Sequence, residues 1–323
     1  MPGTQEENPI ENQVELSVSK QEELIKLILE DYDISVNSRN SWIAKQKRGL
    51  NLYYGIKPKK DFPFPNCANI HVPLIKTIQS TLESNILGSL DYEKPVTVLP
   101  VGPEDFDKAK AVERLLNWQL TSQIDFRDLL DKLTHSTLLY GHTFIKVRYK
   151  IEKDGKKKTF DGIKLDIPNP ENVLFPPDSI TDNIEEWDYI IHELFLSLSD
   201  LKRRQNSGFY SNVDKVKDFY SKQTNPRSLG LDANILEEAR ILHTGINSNE
   251  TGTNRKSLSR ILEWYGYFDI NNDGIEESVL VTLSPEAHII LRVVEWGGKR
   301  PFILFRFSPI MNKITGESVP SIL

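Results

Sequence analysis

The apolar pattern of this chain changes period once, at Gly141, and that change constrains the fold more than any other feature. Before it, apolar residues recur at the 3.6-residue spacing of helices that bury one face. After it, Thr143, Ile145, Val147, Tyr149 and Ile151 alternate with Phe144, Lys146, Arg148 and Lys150, the period of a strand. A segment patterned for one period does not sit stably in the other. The chain therefore builds helices first and antiparallel strands second, which predicts the α+β class.

Within the helical part, Ser19 and Glu22 match a capping box, followed by Leu24, Ile25, Ile28 and Tyr32 at helical spacing. A second helix is expected over residues 38–54, stopped by Gly55 with Pro58 beyond it. Residues 56–73, with four prolines, read as an extended connector. Ile75, Ile78, Leu82 and Ile86 predict a third helix with a buried stripe, ending at Gly88. Residues 95–101 read as a short strand. Pro103 opens a helix whose expected buried stripe is Phe106, Ala109, Val112, Leu116 and Leu120. Asp125 caps the next, with Phe126, Leu129, Leu133 and Thr137 on one face.

Beyond Gly141, Asp154-Gly155 is a strong hairpin signal, with a returning strand through Phe160, Ile163, Leu165 and Ile167. A short strand is expected at 172–175, another within 182–196, and a short helix capped by Ser199. Polar residues 205–256 suggest helices near 213–220 and 234–242. Strands resume at 261–268, 275–283, 289–294 and 301–307. The division expected is a disordered tail over residues 1–18, a helical part over 19–140 and a β-rich part over 141–323.

Composition narrows the functional classes. Hydrophobic residues make up 38% of 323, enough for a sizeable core. No apolar run approaches the ~20 residues of a membrane span, so no membrane is expected as partner. The polar, acidic N-terminus is unlike a secretory signal. A single cysteine, Cys67, leaves no internal disulfide framework; it reads as a small buried residue in a reducing setting. Forty basic against 46 acidic residues give a net charge of -6, which disfavours tight non-specific binding to nucleic acid. The same balance suits a surface that lets DNA pass without gripping it.

Few residues suggest chemistry. Asp269, Asn271 and Asp273 alternate before Gly274, as oxygen ligands do in a calcium loop, but the twelfth position is Leu280 rather than glutamate. The competing reading is a polar β-turn between strands. Lys146, Arg148, Lys150, Lys156, Lys157 and Lys158 either touch phosphates or form a solvated hairpin tip that discourages edge pairing. The six histidines (His71, His135, His142, His192, His243 and His288) form no HExxH pair. No nucleophile elbow or Walker A loop occurs, so neither catalytic residues nor a cofactor is expected, and the chain reads as a non-enzyme.

Taken in order, several segments resemble the portal proteins of tailed bacteriophages, the head-to-tail connectors of podovirus type. They are the helix entry at 66–88, the helix at 102–120, and Leu138-Leu139-Tyr140-Gly141-His142-Thr143 leading into the basic strand. Residues 170–175, Trp264-Tyr265-Gly266-Tyr267 with the turn after it, and Lys299-Arg300-Pro301-Phe302-Ile303 complete the set. The resemblance implies a homo-oligomeric ring, commonly of twelve subunits, at one vertex of the capsid in the virion, assembled in the cytoplasm of the host bacterium. Its implied role is a conduit for DNA packaging and ejection, with DNA passing without sequence specificity. Its implied partners are the terminase large subunit, the major capsid protein, a scaffolding protein and a tail adaptor. Members of the family continue past the position of Leu323 into a stem and clip. The chain is thus expected to supply the N-terminal wing, or, alternatively, to be a wing-only interaction module without channel activity.

Overall fold

The computed structural model describes residues 13–56, 64, 72–90, 92, 94–154, 157–222 and 258–322. The expectations for residues 1–12, most of the 56–73 connector, Gly155 and the 234–242 helix lie outside that set, as do Cys67, His71, His243 and Lys156.

The fold is α+β. The described helices are α1 (Val18–Ser38), α2 (Asn40–Tyr54), α3 (Leu74–Gly88), α4 (Phe106–Trp118), α5 (Phe126–Tyr140), α6 (Leu198–Asn206), α7 (Val213–Lys222) and a terminal turn α8 (Val319–Ile322). Strands β1 (His142–Asp154), β2 (Lys157–Asp166) and β8 (Phe302–Arg306) form one antiparallel sheet in the order β2-β1-β8. Strands β3 (Val173–Leu174), β4 (Ile190–Ser197), β5 (Leu258–Phe268), β6 (Glu277–Ser284) and β7 (Ile289–Glu295) form a second, antiparallel throughout, in sequence order.

Alternation along the five-stranded sheet explains why it is covered on both sides. Ile191, Trp264 and Val281 face α1, where Leu24 and Ile28 are fully buried against them. Their neighbours Ile190, Tyr265 and Leu280 point the other way and pack against Phe144 and Phe302 of the three-stranded sheet. A bulge between Thr282 and Leu283 shifts the β6–β7 register by one residue. That shift turns Leu291 toward α6 and α7, whose Leu201, Val213 and Val216 pack on the same side as Ile261.

The change of period at Gly141 has a local cause. Gly141 closes α5 in the left-handed region at φ 84, with its N–H on Thr137 O at 2.8 Å, and β1 begins at the next residue. A Cβ at Gly141 would sit 2.3 Å from Gly316 O, and one at Gly316 would sit 2.1 Å from Phe307 O. Phe307 N–H in turn donates to Gly141 O at 2.9 Å, so two chain segments meet backbone to backbone where only glycine fits. Beside this contact Leu50 and Tyr53 of α2 pack on Leu139 and Tyr140 of α5, and Pro320 of α8 rests on Gly49.

Several sequence expectations need correction. Helix α1 is capped by Ser17, whose side chain accepts from Lys20 N–H, so the box at Ser19 and Glu22 falls inside the first turn. Ser197 rather than Ser199 caps α6, accepting from Asp200 N–H at 3.2 Å. Residues 95–101 belong to neither sheet. Their backbone is held by α4 side chains instead: Val96 N–H donates to Asn117 Oδ1 at 3.1 Å, and Val98 N–H to Glu113 Oε2 at 3.1 Å. A π-helical turn, Gln119–Gln123, extends α4 and takes in Leu120, which was expected on the stripe.

Candidate functional site

Two features lie where function was sought: a polar seam between the sheets, and a helical arm that buries almost nothing. The seam begins at Lys146. Strand alternation turns Phe144, Lys146 and Arg148 toward the five-stranded sheet, and Lys146 is only 5% exposed. Its Nζ donates to Glu263 Oε2 and lies 3.2 Å from His192 Nδ1. The same ammonium lies 5.4 Å from the Phe302 ring and 5.6 Å from Tyr265, over faces that attract a cation. Burial, reinforced by the Lys146 charge, pushes the His192 imidazole below its usual value. Burial alone would raise the Glu263 carboxyl, but Lys146 and His192 hold it well below the usual carboxylate range.

The predicted phosphate-contact residues therefore separate. Lys146 is an internal pin between β1 and β5. Arg148 Nε donates to Asp166 Oδ2 at 2.6 Å across the β1–β2 pair. Lys150 lines a groove between α5 and the hairpin. Lys157 and Lys158 pair with Asp154 and Lys153 along the backbone ladder. Beside the pin a cavity of about 260 Å³ is lined by Lys146, Arg148, Asp166, His192, Arg204 and Glu263. No sequence signal linked Lys146 to Glu263, which stands 117 positions away.

The acidic turn closes on itself. Asp269 accepts from Asn272 N–H at 2.6 Å and from Gly274 N–H at 3.0 Å, and Asp273 accepts from Ile275 N–H at 2.7 Å. Asn271 accepts from Asp273 N–H at 2.9 Å and donates to Glu277 Oε1 at 2.9 Å. The slight burial of Asp269 acts to raise its pKa, but these N–H groups and Lys20 lower it overall. Asn272 and Gly274 adopt the positive φ such a turn requires. Among the described residues no cluster of three or more His, Cys, Asp or Glu is arranged to hold a metal ion.

The histidines also disperse. His135 Nδ1 lies 2.8 Å from Glu83 Oε1, His142 is 2% exposed, and His288 sits at φ 54 in the β6–β7 turn.

The arm comprises α3, residues 89–105 and α4. Helix α3 turns polar side chains toward α5: Gln79 is fully buried, and Glu83 joins His135. Its predicted stripe divides: Ile75 packs against Leu50, Tyr53, Leu139 and Tyr140 and Leu82 is partly buried, while Ile78 and Ile86 are exposed. Helix α4 has no buried residue in its 13. Phe106, Val112, Leu115 and Trp118 are each about half exposed, and Val101 is 99% exposed. Of the stripe expected on this helix, Ala109, Leu116 and Leu120 are partly buried and Phe106 and Val112 stay exposed among the described residues.

Over residues 25–168 and 155–323 the chain matches the family model described as Phage SU10 portal protein, and it belongs to that family. Its role is accordingly that of a structural, capsid-associated phage portal protein. No curated protein matches the chain. Among the described residues no helix is long and apolar enough to cross a membrane.

Proposed function

We propose that copies of this chain assemble into a closed ring at a capsid vertex and form part of the conduit through which DNA is packaged and later ejected. The family match over nearly the whole chain carries this reading. The arm supports it: a 13-residue helix with no buried residue is marginal by itself in water and is completed by association. Residues 19–140 and 141–323 are the helical and β-rich parts of the wing. The chain contributes shape and surface, and a separate terminase supplies the motor. Major capsid protein, scaffolding protein and tail adaptor complete the partners. The net charge of -6 keeps DNA phosphates from adhering to the walls.

Electron microscopy and mass photometry of the purified full chain test the assembly. Annular particles of about twelve copies with a central hole are expected of a heterologous, closing contact. A monomer that persists at tens of micromolar overturns the ring and favours a wing that acts only as an interaction module.

A further inference from the structure

Three strands, β1, β4 and β5, bring an amine, an imidazole and a carboxyl group together in the seam between the sheets. Lys146 Nζ donates to Glu263 Oε2, and His192 Nδ1 lies 3.2 Å from that nitrogen and 3.3 Å from that oxygen. The side chains of Lys146, His192 and Glu263 are only 6%, 10% and 14% exposed. Phe302 and Tyr265 present their rings to the amine. A nucleophile, an acyl group and a base are thus held within contact in a site where little water hydrates charge.

We propose that Lys146 and Glu263 condense into an isopeptide bond, with His192 carrying the proton, so that the three-stranded sheet is tied covalently to the five-stranded one. The inference is independent of the ring reading and concerns the body of a single copy. Proximity supplies the rate: groups fixed in reacting geometry behave as though present at about 10⁵ M or more. Burial supplies the direction. In water, hydration favours ammonium and carboxylate over the amide; in the seam both charges are penalised, and the neutral amide removes both.

The reaction begins from the ion pair. A proton passes from Lys146 Nζ to Glu263 Oε2, leaving an amine beside a carboxylic acid. Burial raises the Glu263 carboxyl, but Lys146 and His192 hold it low overall, so this transfer is the uphill step and the bond forms slowly. The amine lone pair then attacks the Glu263 carboxyl carbon, and the carbonyl electron pair moves onto Oε1. His192 Nδ1 takes one proton from the nitrogen as the C–N bond forms. As the carbonyl is restored, the C–Oε2 bond breaks and His192 returns its proton to the departing oxygen. One water leaves, the imidazole is neutral again, and nothing is oxidised or reduced. The cavity of about 260 Å³ lined by all three side chains receives that water. The freshly folded chain therefore carries the ion pair, and the aged chain the amide.

Intact mass spectrometry of the purified full chain, denatured after increasing times of incubation, reads the bond. A growing fraction lighter by one water than the sequence requires is expected. Digestion should then give a branched peptide that joins the Lys146 and Glu263 segments, with trypsin no longer cutting after Lys146. The full sequence mass at every time, with the two residues in separate peptides, overturns the bond. So does a lost water that maps elsewhere, such as to a succinimide at Asp273-Gly274. Lys146→Arg keeps the charge but not the nucleophile, and it should hold the full mass; the same loss of water in this variant overturns the assignment. In His192→Gln, which keeps a hydrogen-bonding side chain, the bond should form at least tenfold more slowly. An unchanged rate overturns the proton transfer given to His192.

Discussion

The five-stranded sheet and the α3–α4 arm treat their apolar residues in opposite ways. In β6 every residue from Val279 to Ser284 is buried, because α1 covers one face while the other sheet and α6–α7 cover the other. In α4 none is buried, although the spacing of its apolar residues is as regular. Periodicity records that a face will be covered; only the three-dimensional arrangement shows whether the cover comes from the same chain. The body completes itself, and in the proposed ring the arm is completed by assembly. Substitutions in the body should thus act on the monomer, and substitutions in the arm on the ring.

The largest effect is expected at Trp264, 1% exposed beneath α1, whose Nε1–H donates to Asp31 Oδ2 at 2.9 Å. Trp264→Ala should lower monomer stability by about 3–5 kcal/mol in urea titrations, through lost burial and the cavity left behind. A loss below about 1 kcal/mol would mean that the body, too, depends on neighbours.

Next comes the pin. Lys146→Ala leaves Glu263 buried without its counter-ion and should destabilise by about 3 kcal/mol. Lys146→Met combined with Glu263→Leu should recover most of that loss, since an apolar pair of similar volume avoids the desolvation of both charges. Additive losses in this double-mutant cycle would show that the two side chains stabilise the seam independently.

A pH effect of similar sign and no larger size is expected at His142, fully buried beside Trp42 and pushed down to about 4 by burial and then by the Arg39 charge. Its folded value lies below that of the unfolded chain, so the unfolded state binds the proton first as pH falls. Stability is therefore full above pH 6.5 and declines between there and about 4, by up to roughly 3 kcal/mol. His192 acts in the same direction. His142→Phe should flatten part of the slope in urea melts taken from pH 7 to 4.5, and an unchanged slope would assign it to other groups.

The sequence made the body legible because its signals are local. Gly141 and Gly55 each mark a helix end in the left-handed region, and alternation through residues 143–151 survives into β1. Boundary errors arose where two residues offer the same chemistry, as with Ser17 against Ser19 and Ser197 against Ser199. Residues 95–101 alternated like a strand but found their hydrogen bonds on Asn117 and Glu113 of a helix, which no periodicity encodes. The pin was illegible for a similar reason. Lys146 looked like one more hairpin lysine until the sheets brought Glu263 and His192 to it. The family resemblance was carried by the order of its motifs, and a phage portal family model matches residues 25–168 and 155–323.

The smallest effect on the monomer should come from the arm, and it is the most informative for the comparison. Trp118 is 51% exposed and closes α4 beside the π-helical turn. Trp118→Ser removes little buried area from an isolated copy, so its unfolding free energy should change by less than about 0.5 kcal/mol. If the ring covers this face, the same substitution removes an aromatic anchor from every subunit contact, and losses of about 2 kcal/mol per contact are usual for such anchors. Because each contact recurs around the ring, assembly should fall steeply while the monomer's urea midpoint stays in place. Native mass spectrometry alongside the urea titration separates the two. A fall in both would mean that α4 is already packed within its own copy. No change in either would mean that the exposed stripe stays exposed in the ring, and the distinction between a self-sufficient body and an assembly-completed arm would then fail at Trp118.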